Sequence, residues 1–97
     1  MARKYLRISE VITICGVDEE FVFRLEEEQL IHSVTQRKQK LYPLEQVDRV
    51  RVAHVLIEEM GVNFEGVEVA LHMREQMIAM QRQFDKLLKS LSEELKK

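Results

Sequence analysis

Residues 16–31 read Gly-Val-Asp-Glu-Glu-Phe-Val-Phe-Arg-Leu-Glu-Glu-Glu-Gln-Leu-Ile, and this stretch decides the fold. Asp18 is suited to cap the N-terminus of a helix, and the two glutamates that follow it are favourable near the positive end of the helix dipole. At 100° per residue, Phe21, Val22 and Leu25 share one face. We therefore predict an amphipathic helix that packs this face on a core.

A shorter helix precedes this one. Ser9 suits the N-cap of a helix over about residues 10–15, and Gly16 suits the left-handed position at its C-terminus. The turn between the two helices is short and contains that glycine, which is typical of a helix-turn-helix motif. Before it, residues 5–8 are apolar at intervals and predict a small edge strand.

Downstream, the pattern indicates a hairpin and a third helix. A polar and basic segment over residues 36–40 lies between Val34 and Leu41, as in a tight two-stranded wing. Pro43 suits the first turn of the third helix, and Gly61 suits its end. The residues expected on its buried side are Val47, Val50, Leu56, Ile57 and Met60.

The last helix is long. Asn63 can cap it, and no Pro or Gly follows Gly66, so the helix is expected to run to about Glu94, which is roughly 30 residues or about 45 Å. Its apolar residues follow alternating steps of three and four, which defines a heptad seam. The seam residues are Ala70, Met73, Met77, Met80, Phe84, Leu87 and Leu91.

A head of about 60 residues is a small domain, and it is too small to cover the whole length of this seam. We therefore predict a homodimer through the seam, with packing of the helix on its own head as the alternative. The predicted fold class is mainly α. A small winged helix-turn-helix head covers residues 1–62, and a long coiled-coil dimerisation helix covers residues 63–97.

The charge of residues 18–28 is wrong for a helix that docks on DNA. The segment holds six acids and a single base, Arg24. In a DNA reader the second helix carries Arg and Lys toward phosphates and bases, and the phosphate row repels an acidic helix. The pattern indicates either that this motif does not bind DNA here or that it binds something basic instead.

An aromatic side chain lies at the centre of the outward side of this helix. Phe23 is roughly opposite the face that we expect to be buried, and acids flank it. We interpret the group as an anchor with a charged rim, suited to a basic partner surface with an apolar dent. The alternative is a solvated acidic face on which Phe23 lies over its neighbours. The predicted partner-binding residues are Glu19, Glu20, Phe23, Glu26 and Glu27.

The wing carries the opposite charge. Arg37, Lys38 and Lys40 are the candidate nucleic-acid contacts of an alternative, DNA-binding interpretation, because wings can contact phosphates. The other explanation for these bases is solubility of an exposed hairpin.

Composition limits the class of protein. The 97 residues suffice for one small domain plus an extension, and the net charge of −2 argues against a bulk polyanion binder. One cysteine allows no internal disulfide, which suits a reducing compartment. No apolar run reaches the ~18 residues of a membrane span, and residues 1–4 lead into no signal-peptide core. We expect a cytoplasmic protein.

The sequence contains no catalytic constellation. His32, His54 and His72 are scattered, and His54 with Glu58 supplies only two ligands on one helix face, too few for a metal site. Cys15 is expected to be a small buried residue rather than a nucleophile. There is no Gly-rich phosphate loop. We predict no enzyme activity, no catalytic residue, no metal and no cofactor.

The order of these elements resembles the MerR-like winged-helix family, over nearly the whole chain. Transcription factors of that family usually carry Arg residues and an aromatic pair in the second helix, whereas this chain has Glu20, Phe23, Arg24 and Leu25 at the matching positions. It also lacks the C-terminal Cys ligands of metal-sensing members. The residues that carry the resemblance are Ile8-Ser9-Glu10-Val11, Gly16-Val17, Leu30-Ile31, Lys40-Leu41-Tyr42 and Gly61-Val62-Asn63-Phe64-Glu65-Gly66-Val67.

Two branches of that family share motifs with the chain. The Gly-Val-x-Val-Ala-Leu pattern over Gly66 to Leu71 is similar to the chaperone modulators of the CbpM family. That resemblance implies binding to the J-domain of a DnaJ-like co-chaperone and inhibition of its cooperation with DnaK. The Gly-Val-Asn-x-x-Gly-Val junction over residues 61–67 is similar to HspR-like heat-shock repressors and implies operator DNA. The acidic second helix favours the modulator, and the basic wing supports the repressor.

Overall fold

A three-stranded sheet and three short helices form a head from which a long helix extends, in a computed structural model that describes residues 3–96. The fold class predicted from the sequence, a winged helix-turn-helix head with a long C-terminal helix, is confirmed. In chain order the elements are β1 (Tyr5–Arg7), α1 (Ile8–Cys15), α2 (Glu19–Glu27), β2 (Val34–Gln36), β3 (Gln39–Pro43), α3 (Leu44–His54), a π-helical segment (Val55–Glu59) and α4 (Phe64–Leu95).

The first helix begins earlier than the sequence suggests. Arg7 is its N-cap, and Ser9, the predicted cap, lies inside the helix, where its carbonyl accepts the Thr13 hydroxyl. The reason is the Glu10 carboxylate, which accepts the Arg7 backbone N–H at 2.9 Å and so satisfies an N-terminal donor directly behind β1. Arg3 also pairs with Glu10, and these contacts lower the pKa of Glu10 to about 2.

The second helix has the predicted start and the predicted buried face. The Asp18 carboxylate accepts the Phe21 N–H at 2.8 Å, and Val22 and Leu25 are fully buried. Phe21 is half-buried and packs against the core. Because this apolar side of α2 packs on the core, the polar side of the helix is directed away from the head.

The wing is a hairpin, as predicted, and β1 adds a third strand. The sheet order is β1-β3-β2 with antiparallel pairing throughout, and Leu6 lies opposite the buried Tyr42. Arg37 and Lys38 form the two-residue turn between β2 and β3 with φ values of 51° and 64°. Positive φ at both central positions is what a type I′ hairpin turn requires.

The third helix continues into a π-helical segment, which the sequence does not predict. Val47 and Val50 are buried and Leu56 and Ile57 are half-buried, as expected. Met60 is 67% exposed, so its assignment to the buried side is wrong. The wider π turn shifts the helical register, and the last predicted position therefore leaves the face that packs on the core.

The long helix has two parts with different surroundings. Its N-cap is Asn63, as predicted, and Val67 and Leu71 are buried in the core of the head. Arg74 pairs with Asp48 at 2.7 Å, which ties this part of α4 to α3. The packed head therefore extends beyond residue 62 and includes the first two turns of α4. Within residues 3–96, no helix combines the length and the apolar character that a membrane crossing needs.

Candidate partner-binding surface

The outward side of α2 presents carboxylates. Glu19, Glu20 and Glu27 are exposed, and we call these three residues with Phe23 the acidic face. The helical spacing places them around the half-buried Phe23. Four of the five residues predicted to bind a partner therefore lie on one outward surface.

Phe23 contacts the wing. The ammonium nitrogen of Lys40 lies 5.0 Å from the centroid of the Phe23 ring, a cation–π geometry. The same ammonium pairs with a Glu26 carboxylate oxygen at 3.0 Å. Lys40 thus covers part of the aromatic ring and is engaged with α2, which leaves less of it for a phosphate.

Glu26, the fifth predicted residue, faces the wing instead of the outward side. Its side chain is only 18% exposed, accepts the Tyr42 hydroxyl and accepts the Ser33 hydroxyl at 3.2 Å. Burial, together with the hydrogen bond and the charge of Glu26, raises the pKa of Tyr42 above its usual range. These contacts join α2 to the hairpin and fix the position of the acidic face relative to the wing.

The single base of the helix is directed toward α4. The guanidinium carbon of Arg24 lies 4.8 Å from the centroid of the Phe64 ring. Across residues 3–96, Arg24 takes part in no ion pair. The acidic face consequently carries three carboxylates, and the only base of α2 lies at its border with α4.

The wing tip holds the other basic residues. Arg37 and Lys38 are exposed, and neither forms an ion pair in the part of the chain that the structure describes. Of the three bases predicted as alternative nucleic-acid contacts, these two are available, and Lys40 is engaged as described above. The basic tip and the acidic face are thus adjacent surfaces of opposite charge.

The seam of α4 is exposed beyond the head. Ala70 is half-buried, and the remaining predicted seam residues are exposed, with Met77 at 67% and Phe84 at 55%. Leu88 is also exposed and widens the apolar stripe, although a strict heptad count does not include it. The exposed seam residues are Met73, Met77, Met80, Phe84, Leu87 and Leu91.

Cys15 lies in a setting unsuited to a nucleophile. It is half-buried, and its thiol donates to the Val47 carbonyl at 3.7 Å. Burial raises the pKa of the thiol, which lowers the fraction of reactive thiolate. Over residues 3–96, no group of three or more His, Cys, Asp or Glu side chains is placed to hold a metal ion.

A family model described as "MerR HTH family regulatory protein" matches residues 6–89. The chain belongs to this family. No curated protein matches it. The family match covers the head from Leu6 onward and most of α4, and it confirms the resemblance to MerR-like proteins that the order of the motifs indicates. The description points to a regulatory rather than an enzymatic role.

Proposed function

We propose that this MerR-family protein is a non-enzymatic modulator. It binds the J-domain of a DnaJ-like co-chaperone through the acidic face of α2 and inhibits the cooperation of that co-chaperone with DnaK. The family match supports a regulatory protein, and the sequence motifs shared with chaperone modulators suggest the partner. The proposed location is the cytoplasm, where such a partner acts.

The observation that carries the proposal is the charge of the docking helix. The acidic face presents Glu19, Glu20 and Glu27, and Arg24 is turned toward Phe64. A helix with this surface gains nothing from the phosphates that dominate affinity for DNA. Against the basic helix by which a J-domain engages DnaK, the same carboxylates steer the encounter and orient the complex.

A second copy of the chain is the proposed occupant of the seam. Burial of each large seam residue contributes roughly 1.5–3 kcal/mol, and a second α4, antiparallel as in the family that the chain resembles, would cover the whole row. Neither the head nor any other described element covers it beyond Leu71. A homodimer of this kind carries two acidic faces.

A direct comparison of the two candidate ligands tests the function. We expect an isolated J-domain to bind the full chain in calorimetry at physiological salt. We expect a gel shift on the DNA upstream of the chain's own gene to give no sequence-specific complex. Specific protection of DNA without any binding of the J-domain would overturn the proposal.

One observation favours a DNA-binding repressor as the second candidate. Arg37 and Lys38 are exposed and unpaired among the described residues, at the tip of a wing. The double variant R37N/K38N tests this, because Asn tolerates the left-handed turn conformation of both positions. A repressor loses DNA affinity and salt dependence in this variant. A J-domain modulator retains its partner, because the tip lies outside the acidic face.

A further inference from the structure

A cleft lies beside the acidic face, between α2, the π-helical segment and the start of α4. Its volume is about 450 Å³, and it begins at the turn that contains Gly16 and Asp18. None of the predicted site residues except Glu20 lines it. Apart from Glu20, it is therefore a surface that the proposed partner contact on α2 does not account for.

Two aromatic rings, with Val17 and Ile57, line the apolar part of the cleft. Phe21 is half-buried and meets His54 edge-on, with ring centroids 5.6 Å apart. Phe64 is also half-buried, and it lies under the guanidinium of Arg24. Aromatic faces of this kind attract cations, especially the planar guanidinium group.

Carboxylates surround these rings. Glu20 lines the cleft from α2, and Glu58 lines it from the π-helical segment. Asp18 is a third acid, although its carboxylate also caps α2. With Arg24 as the one base among its lining residues and His54 as the remaining titratable group, the cleft carries an excess of negative charge.

The chain's own Arg24 occupies the place that suits a cation. It lies over the Phe64 ring and forms no ion pair within residues 3–96, so its contact with the cleft is an exposed cation–π pair. Such pairs are weak at exposed sites. A cation from another molecule that also reached Glu20 or Glu58 would compete favourably for this position.

We infer that the cleft accepts one basic side chain, an arginine or a lysine, from a helical segment of the partner protein, and that this side chain replaces Arg24 over the Phe64 ring. The inference rests on the proposed function, because it takes from that function a partner with a basic surface. It adds the position at which this chain binds one basic side chain of the partner. The π-helical segment contributes Glu58 to the cleft, and such segments are frequent at functional sites.

A small probe tests the cleft without the J-domain. N-acetyl-argininamide is titrated into the full ¹⁵N-labelled chain at millimolar concentrations, with N-acetyl-citrullinamide as the uncharged control of similar shape. We expect saturable shifts of the amides of residues 17, 20, 58 and 64 with the arginine probe only. Shifts spread evenly over all acidic residues, or equal shifts with citrulline, would overturn the inference.

Two neighbouring glutamates provide the matched variants. Glu58 lines the cleft and Glu59 does not, and both are exposed residues of the π-helical segment. E58Q should weaken both the arginine probe and the J-domain by about two- to fivefold, which is the range of an exposed ion pair. E59Q should change neither. Equal effects of the two variants would contradict a specific contact.

The outcomes separate this inference from the proposed function. Binding of the J-domain with no difference between E58Q and E59Q means that the function holds and the cleft is not used. Saturable binding of the arginine probe without any binding of the J-domain means that the cleft accepts a basic side chain but that the proposed function is wrong. F64L completes the test, because it keeps apolar packing and removes the aromatic face. It should reduce binding of the arginine probe and leave unfolding nearly unchanged.

Discussion

The acidic face of α2 and the exposed seam of α4 are two exposed surfaces of this chain, and they differ in kind. On α2 the apolar side is buried in the head, with Val22 and Leu25 fully covered, and the polar side is outward. On the distal part of α4 the apolar side is itself exposed, with Met77 and Phe84 more than half accessible. Both helices are amphipathic, but only one has its apolar side covered within the chain.

The difference separates two modes of association. Apolar area removed from water is a large and undirected source of free energy, and obligate homodimer interfaces are built mainly from it. A charged surface with a half-buried aromatic gives orientation and fast encounter, which suits a partner that binds and leaves. We therefore expect the seam to hold a permanent second copy and the acidic face to hold a regulated partner.

The largest effect is expected from a substitution that disrupts the dimer at the seam. Phe84→Glu removes an apolar contact worth about 1.5–3 kcal/mol from each subunit and places two carboxylates in the interface. We expect wild-type dimers and F84E monomers in sedimentation at tens of micromolar. Ser92→Glu, which adds the same charge one residue away from the seam position Leu91, should stay dimeric. A wild-type chain that is monomeric under these conditions would contradict the predicted homodimer through the seam.

The next prediction contrasts the two parts of α4. Leu71 is 1% exposed and belongs to the core of the head, whereas Leu87 is 56% exposed. L71A should lower the free energy of unfolding by about 2–5 kcal/mol at any protein concentration, because it leaves a cavity. L87A should act only through the dimer, so its effect should fade on dilution. Urea unfolding followed by circular dichroism at two protein concentrations measures both, and concentration-independent loss in L87A would contradict a seam dimer.

Local chemistry explains why most of the fold was predictable. Asp18 and Asn63 cap their helices through side-chain oxygens, and Gly16 and Gly61 have the left-handed φ that ends a helix. Each of these signals depends on a residue and its immediate neighbours, so sequence reports it well. The prediction that Ser9 caps α1 was wrong because β1 leads directly into α1 and brings Glu10 into the capping role.

The site was less predictable because its contacts join distant parts of the chain. Spacing on α2 shows that Phe23 points outward, but it does not show that Lys40 covers the ring or that Glu26 turns toward Tyr42. The pairing of Arg24 with Phe64 likewise depends on the angle between α2 and α4. Helical periodicity locates residues on one element, whereas these contacts are set by how the elements pack.

A smaller effect is expected at the centre of the acidic face. Phe23→Ala should weaken binding of the J-domain by about 2 kcal/mol, as truncation of an aromatic anchor does. The fold should be little affected, because the ring is half-buried and contacts Lys40 at the surface. Calorimetry of the J-domain, with thermal unfolding as the control, measures the change. Wild-type affinity in F23A would place the contact on another surface, such as α3 or the outer side of α4.

The smallest expected effect concerns the rate of encounter. Reversing Glu19 and Glu20 to Lys changes the sign of the charge at the start of α2, and we expect association with the J-domain to slow by about tenfold at low salt, because charge steering acts on the encounter. Dissociation should change less, since both side chains are exposed and screened by water.

The salt dependence of the association rate should also weaken, because fewer favourable charges remain to be screened. Stopped-flow measurements over a range of salt concentrations provide the test, and the single reversal of Glu93 to Lys, near the end of α4 and far from α2, is the control for a charge change elsewhere. Faster dissociation with an unchanged association rate would mean that these carboxylates do not steer the partner, and the contrast between a steering face and a burying seam would then be wrong.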